Sequence, residues 1–247
     1  MDKVLYVAMT GARENMHAQQ VHANNLANAS TTGFKADLDQ ARAMRVMGEG
    51  VPSRVYSMSE RPGTNTATGT LMATGRNLDV AVQGNNWIAV QAADGSERYT
   101  RSGELNINTL GQLITGSGIP VMGNAGAPVV IPPAEQITIA NDGSITIRPQ
   151  GSAADELVLI DQIKVVADTE RQLWKGDDGL MRTDGLTPLP AAQNPQLRSG
   201  YLESSNVNAV AELTSMISLS RQFEMQVKIM QSADENSQTA SRILQIS

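Results

Sequence analysis

The chain has 247 residues, two histidines, no cysteine, 19 Lys and Arg against 25 Asp and Glu, and an aromatic share of only 3%. Disulfide scaffolds, thiolate-held zinc or iron–sulfur clusters and thiol nucleophiles are thereby excluded. A net charge of −6 with dispersed cations offers no field for a nucleic-acid backbone, so no nucleic-acid partner is expected. Bulky interior anchors are scarce, which argues against one large core.

The chain opens on Val4 to Met9, its longest run free of polar residues, Gly and Pro. Six residues are far short of the roughly 20 that cross a bilayer, so no direct membrane insertion is expected. Nor does this run read as a cleavable leader: it is shorter than an ordinary leader core, almost no net charge precedes it, and its pattern continues at helical spacing. Steps of four and three give Leu5, Met9, Ala12, Met16, Gln19, Ala23 and Leu26, a heptad seam that predicts a helix over residues 3 to 29. Ser30-Thr31-Thr32-Gly33 supplies the stop, with Gly33 able to adopt the left-handed conformation common at helix ends.

Residues 36 to 75 follow neither period and carry Gly48, Gly50, Pro52, Pro62, Gly63 and Gly69; they are expected to form an extended linker with short strands. From residue 76 to 200 apolar positions recur every second residue. Leu78, Val80 and Val82 alternate with Asp79 and Ala81, and Ile137 and Ile139 face Ile145 and Ile147 across Asn141-Asp142-Gly143. Trp87 to Gln91 and Tyr99 to Arg101 flank Asp94-Gly95 as a second hairpin. Pro188, Pro190, Pro195 and Gly200 mark the return path from this β region.

No Gly or Pro occurs from Tyr201 to Ser247. Heptad steps from Ala209 reach Leu213, Met216, Ser220, Phe223, Val227, Met230 and Asp234, apolar early and polar late, and Ser204, Ser205 or Asn206 can cap the start. The predicted fold is α+β: a helical segment over 1–35, a linker over 36–75, an all-β domain over 76–200, and a helical segment over 201–247 that packs with 1–35 in a coiled-coil-like domain. Both helices carry seams of small or flexible residues and gain little stability alone. They are expected to be completed by neighbouring copies, with Leu5, Met9, Met16, Leu26, Phe34, Val207, Leu213, Met216, Phe223, Val227 and Met230 as the apolar interface and Asn24, Asn25, Asn28 and Asn206 as polar specifiers of register.

No catalytic, cofactor or metal site is expected. His17 and His22 are five apart and do not share a helix face as metal ligands four apart would. Asp177-Asp178-Gly179 and Asp184-Gly185 lack the alternation of a calcium loop and read as turns. Paired carboxylates for glycoside hydrolysis are not excluded by sequence, because they depend on distance in space.

Three separated stretches resemble the flagellar rod and hook axial protein family. These are Ala23-Asn24-Asn25-Leu26-Ala27-Asn28 with Ser30 to Lys35; Leu78 to Val82 with Asp94-Gly95 and Tyr99-Thr100-Arg101; and Gly200-Tyr201-Leu202-Glu203 with Ser205 to Asn208, then Arg221, Phe223 and Glu224. Asn206 to Val210 and Phe223-Glu224-Met225 are most similar to the proximal-rod members, while Trp87-Ile88 departs from the paired Phe of the distal-rod members. The resemblance implies a non-enzymatic subunit of the basal-body rod, assembled helically with copies of itself and other rod proteins into the shaft that crosses the periplasm and carries torque from motor to hook. It also implies passage through the flagellar type III export apparatus. The alternatives are a distal-rod subunit and, from another class, a secreted glycan-binding or glycan-hydrolysing β-domain with the helices as a dimerisation clip.

Overall fold

Ala, Leu, Met, Gln and Glu, all strong helix formers, are plentiful at both ends of the chain, and both ends are helical in the computed structural model. The structure describes residues 2–45, 55–60, 63–151, 157–169, 172–183 and 187–246. The chain divides into two compact units.

The first unit comprises residues 1–29, 37–63 and 207–247. It contains α1 (Asp2–Ala27), a hairpin of β1 (Gln40–Arg45) and β2 (Val55–Glu60), and α2 (Ala209–Ile246). α1 packs against α2 and β2. The face of α1 that is buried is small: Ala8, Ala12 and Ala18. Gly11 faces the Gln226 amide so closely that a Cβ there would stand 2.7 Å from Nε2. The side of α2 in partial cover repeats every seven residues as Ala209, Met216, Phe223 and Met230, interleaved with Glu212, Leu219, Gln226 and Ala233. Asp234 to Thr239 are all exposed, in line with the polar late seam.

The helix bounds match the periodicity, but the terminating residues differ. α1 ends in a tight turn, where Asn28 N donates to the Asn24 and Asn25 carbonyls and Ala29 N to that of Leu26. Gly33 does adopt φ +70°, yet lies beyond this turn. α2 is capped by Asn208, not by the residues 204 to 206 expected to do so: its Oδ1 accepts from Val210 N (3.1 Å) and Ala211 N (3.2 Å). The predicted linker contains β1, β2 and a further short strand, β3 (Leu71–Ala73).

The second unit, residues 30–36 and 64–206, is built of β3, β4 (Val80–Val82), β5 (Asn86–Gln91), β6 (Glu97–Thr100), β7 (Leu105–Ile107), β8 (Leu113–Thr115), β9 (Ala134–Ile139), β10 (Ser144–Pro149), β11 (Val158–Gln162), β12 (Val165–Ala167), β13 (Leu173–Lys175), β14 (Met181–Thr183), β15 (Leu197–Ser199) and β16 (Tyr201–Glu203). Five strands form an antiparallel sheet in the order β12-β5-β6-β14-β13, and three form a second sheet, β11-β10-β9. Shorter ladders join β7 to β8, β15 to β4 and β16 to β3.

Both predicted hairpins form, the one around Asn141-Asp142-Gly143 with the expected facing pairs. Ile139 pairs with Ile145 and Ile137 with Ile147, while Ala89 pairs with Tyr99. Each turn is an Asp-Gly-Ser: the carboxylate accepts from the Ser backbone N–H, at 2.9 Å for Asp94 and 3.0 Å for Asp142. The serine hydroxyls add a second hydrogen bond, which holds both carboxyl groups below the usual range. β5 is buried on both faces because successive side chains point opposite ways. Ile88 and Val90 join the main core with Val80, Leu105, Leu113, Ile145 and Ile147, while Trp87 and Ala89 join a smaller one with Tyr99, Met122, Val166 and Met181.

Candidate functional site

The three stretches singled out in the sequence each place one charged side chain in a single buried cluster of the second unit. Lys35, Arg101 and Glu203 are 3%, 1% and 1% exposed. Lys35 Nζ donates to Glu203 Oε1 (2.5 Å) and to the Ala67 carbonyl (2.7 Å). Gly69 N donates to the same Oε1 at 2.8 Å, and Arg101 Nη1 to Oε2 at 3.1 Å. Arg101 also donates to the Gly84 carbonyl, and its guanidinium stands 5.0 Å from the centre of the Trp87 ring. Burial pulls the Lys35 ammonium below its usual value, and the hydrogen bond and charge of Glu203 oppose that shift.

The backbone around the cluster is tied as tightly. Gly33 N donates to the Glu203 carbonyl at 2.8 Å. A Cβ on Gly33 would stand 2.3 Å from the Arg101 backbone carbon, so this left-handed glycine is required by close approach as well as by φ. Phe34, partly covered, takes the Lys175 ammonium on its ring face at 3.9 Å, and the same ammonium donates to the Lys35 carbonyl (2.9 Å). Asn206 uses its whole amide here: Oδ1 accepts from Ala36 N (2.8 Å), and Nδ2 donates to the carbonyls of Asn65 (2.7 Å) and Ala67 (3.0 Å).

In the helical unit, Asn25 is similarly occupied. Its amide exchanges two hydrogen bonds of 2.9 Å with the backbone of Asp37. Asn28 Nδ2 donates to the Asn24 carbonyl, and Asn24 itself is exposed. His22 Nδ1 and Glu212 Oε2 meet at 2.5 Å across the helix pair. Asn15 Nδ2 and Gln226 Oε1, an amide donor and an amide acceptor, are buried without hydrogen-bond partners.

The apolar residues expected at an interface fall into two groups. Leu5, Met9 (52%), Met16 (54%) and Leu213 (48%) are exposed, together with Tyr6, Val210, Ile217, Met225 and Ile229. Leu26, Val207, Met216, Phe223, Val227 and Met230 are partly covered. Of the α1 seam read from sequence only Ala12 is buried: Ala8, Gly11, Asn15, Ala18, His22 and Asn25, buried or partly covered, follow a heptad one residue earlier, and Leu5, Met9 and Met16 lie beside it. Lys35, Arg101 and Glu203 carried no recognisable function in sequence. Their signal was only that each falls inside a motif.

Among the described residues, no group of three or more His, Asp and Glu could hold a metal ion. Asp178 Oδ1 accepts from Leu180 N (3.1 Å) in a turn, while Asp184-Gly185 lies outside the described residues. No described helix is long and apolar enough to cross a membrane.

The described residues suit a structural subunit: both helices leave apolar side chains exposed, and the β unit ties its segments at residues 35–36, 65–69 and 203–206 to one another. Three family models match in chain order: "Flagella basal body rod protein" over residues 5–35, "Flagellar hook protein FlgE/F/G D1 domain" over 81–147, and "Flagellar basal body rod FlgEFG protein C-terminal" over 198–243. The chain is 43% identical to the flagellar basal-body rod protein FlgF of Escherichia coli K12 and 40% identical to that of Salmonella typhimurium LT2, in both cases over 100% of each chain. It is 33% identical to the flagellar basal-body rod protein FlgG of Agrobacterium fabrum C58, over 98% of this chain and 99% of that one. The chain belongs to the flagellar basal-body rod protein family, as a structural subunit of the bacterial flagellum.

Proposed function

We propose that this chain is a non-enzymatic proximal-rod subunit that assembles helically, with copies of itself and other flagellar rod proteins, into the shaft crossing the periplasm. The observation that carries the reading is the row of large apolar side chains left outside the helix pair: Leu5, Met9 and Met16 on α1, and Val210, Leu213 and Ile217 on α2. Exposed apolar rows on adjacent helices are the surface that coiled-coil-like packing between subunits consumes. A heterologous contact repeated without closure builds an open helical tube. Full-length similarity to two FlgF proteins supports the proximal position.

In this reading the chain reaches the rod through the flagellar type III export apparatus and without a cleaved signal peptide. Supporting it, residues 4–9 belong to α1, whose Ala8 is buried. No cofactor and no nucleic acid take part. The glycan-module alternative is weakened, because Trp87 and Tyr99 are core residues and the exposed Trp174 ring is stacked by Arg182.

The test is incorporation into isolated basal bodies. Met9→Ser/Met16→Ser/Leu213→Ser should leave the monomer folded and abolish incorporation, whereas serines at the polar, exposed Gln20 and Asn236 should be tolerated. Normal incorporation of the triple variant would overturn the reading.

A further inference from the structure

The chain passes between its two units four times, near residues 29, 36, 63 and 206. Asn206 bonds the backbone beside two of these points, at Ala36 and Asn65, and is itself a third. Further backbone bonds reinforce the group: Asn65 N donates to the Ala36 carbonyl (2.8 Å) and Asn206 N to that of Phe34 (3.4 Å). A few residues inward, the Lys35–Glu203 pair joins the same incoming and outgoing segments, and Gly69 N and the Ala67 carbonyl join the third. Arg101 fixes Glu203 to the β unit through Gly84 and Trp87.

The main hydrophobic core has no member in residues 30–36 or 64–70. Within the second unit these segments are held chiefly by polar bonds, beside the buried Ala36 side chain and the Phe34 ring against Lys175. Directed bonds of this kind resist displacement along a segment until they break, whereas apolar contact is non-directional.

We propose that Asn206 and the Lys35–Glu203–Arg101 cluster form a mechanical clasp, which keeps the crossing segments seated on the β unit when the chain is pulled through its helices. The rod assignment supplies the origin of that load, but the clasp itself is tested without any rod.

The absence of native cysteine allows single thiol handles to be placed in the full chain at Gln20→Cys on α1 and Ala125→Cys on the β unit, both exposed sites. Pulling between these handles should show a first yielding event whose force falls in Asn206→Ala and falls further in Lys35→Met. Lys35→Arg, which keeps the charge on Glu203, should retain most of it. Ile145→Val, a change in the main core, should lower the melting temperature and leave the first event at its original force.

Asn206→Ala deletes no charge, so it tests the clasp even if Lys35→Met does not fold. Wild-type force in Asn206→Ala, or an equal drop in Ile145→Val, would overturn the proposal. Loss of clasp strength with normal incorporation into basal bodies would separate this inference from the assembly reading.

Discussion

Lys35 and Glu203 are 168 residues apart in the chain and 2.5 Å apart in space. Every oxygen of the Glu203 side chain has a partner: Oε1 takes Lys35 and Gly69 N, and Oε2 takes Arg101. Two buried cations and one buried anion are tolerable because both cations reach the same fully partnered carboxylate, although Arg101 Nε is buried without a partner of its own. Desolvating such charges is expensive, and the attraction between them repays it only with good geometry.

Glu203→Gln tests that balance. It keeps the shape of the side chain but leaves Lys35 and Arg101 buried beside each other with no anion. The expected cost is about 3–5 kcal/mol, the range for breaking a buried ion pair by removing one partner. Urea denaturation followed by Trp fluorescence would measure it, since Trp87 is buried under Arg101. A loss under about 1 kcal/mol would mean that the cluster is dispensable to the β unit.

The same substitution at two glycines should give unequal results. Gly33→Ala places a Cβ 2.3 Å from rigid backbone at Arg101 and forces an L-residue to φ +70°, so roughly 2–4 kcal/mol is lost. In Gly11→Ala the obstacle is the mobile end of Gln226, and alanine gains about 1 kcal/mol in helix propensity, leaving a net change near zero. Thermal melts of the two variants decide this. Equal destabilisation would contradict the difference between a backbone and a side-chain obstacle.

Tyr99 sets the expected behaviour in alkali. Burial pushes its hydroxyl up to about 12 from an ordinary 10.0, and the hydrogen bond from Leu189 N (2.8 Å) opposes that shift. A raised folded value means that this contribution is complete below pH 10 and is lost as pH climbs through 12, at up to about 3 kcal/mol for two pH units. Lys35 has the opposite sign. Its folded value lies below 10.5, so its titration favours the folded state as pH rises through the interval beneath 10.5. Urea midpoints from pH 9 to 12 should therefore fall more steeply for the native chain than for Tyr99→Phe. Parallel curves would rule this out.

The helices and the two principal hairpins were legible in the sequence because their periods are local: Leu5 to Leu26 by sevens, and Ile137 to Ile147 by twos around Asn-Asp-Gly. The packed face of α1 was not. Hydropathy alone selects Leu5, Met9 and Met16, whereas burial follows size complementarity: Gly11 and the alanines of α1 leave room for larger α2 side chains such as Gln226. The clasp was illegible for a different reason. Lys35, Arg101 and Glu203 look like ordinary surface charges until the β unit brings three distant segments together. A free amide and a spent one are identical in sequence, so the intrachain hydrogen bonds of Asn25 and Asn206 are visible only in the structure.

The clasp also imposes an order on folding. A polypeptide delivered amino end first presents Gly33, Phe34 and Lys35 long before Glu203 and Asn206 exist to receive them. Until residue 203 has emerged the chain therefore lacks the anion that makes burial of Lys35 and Arg101 tolerable. Closing the cluster before that anion is present is disfavoured, so the segments at Lys35 and Arg101 are the last of the β unit to be seated.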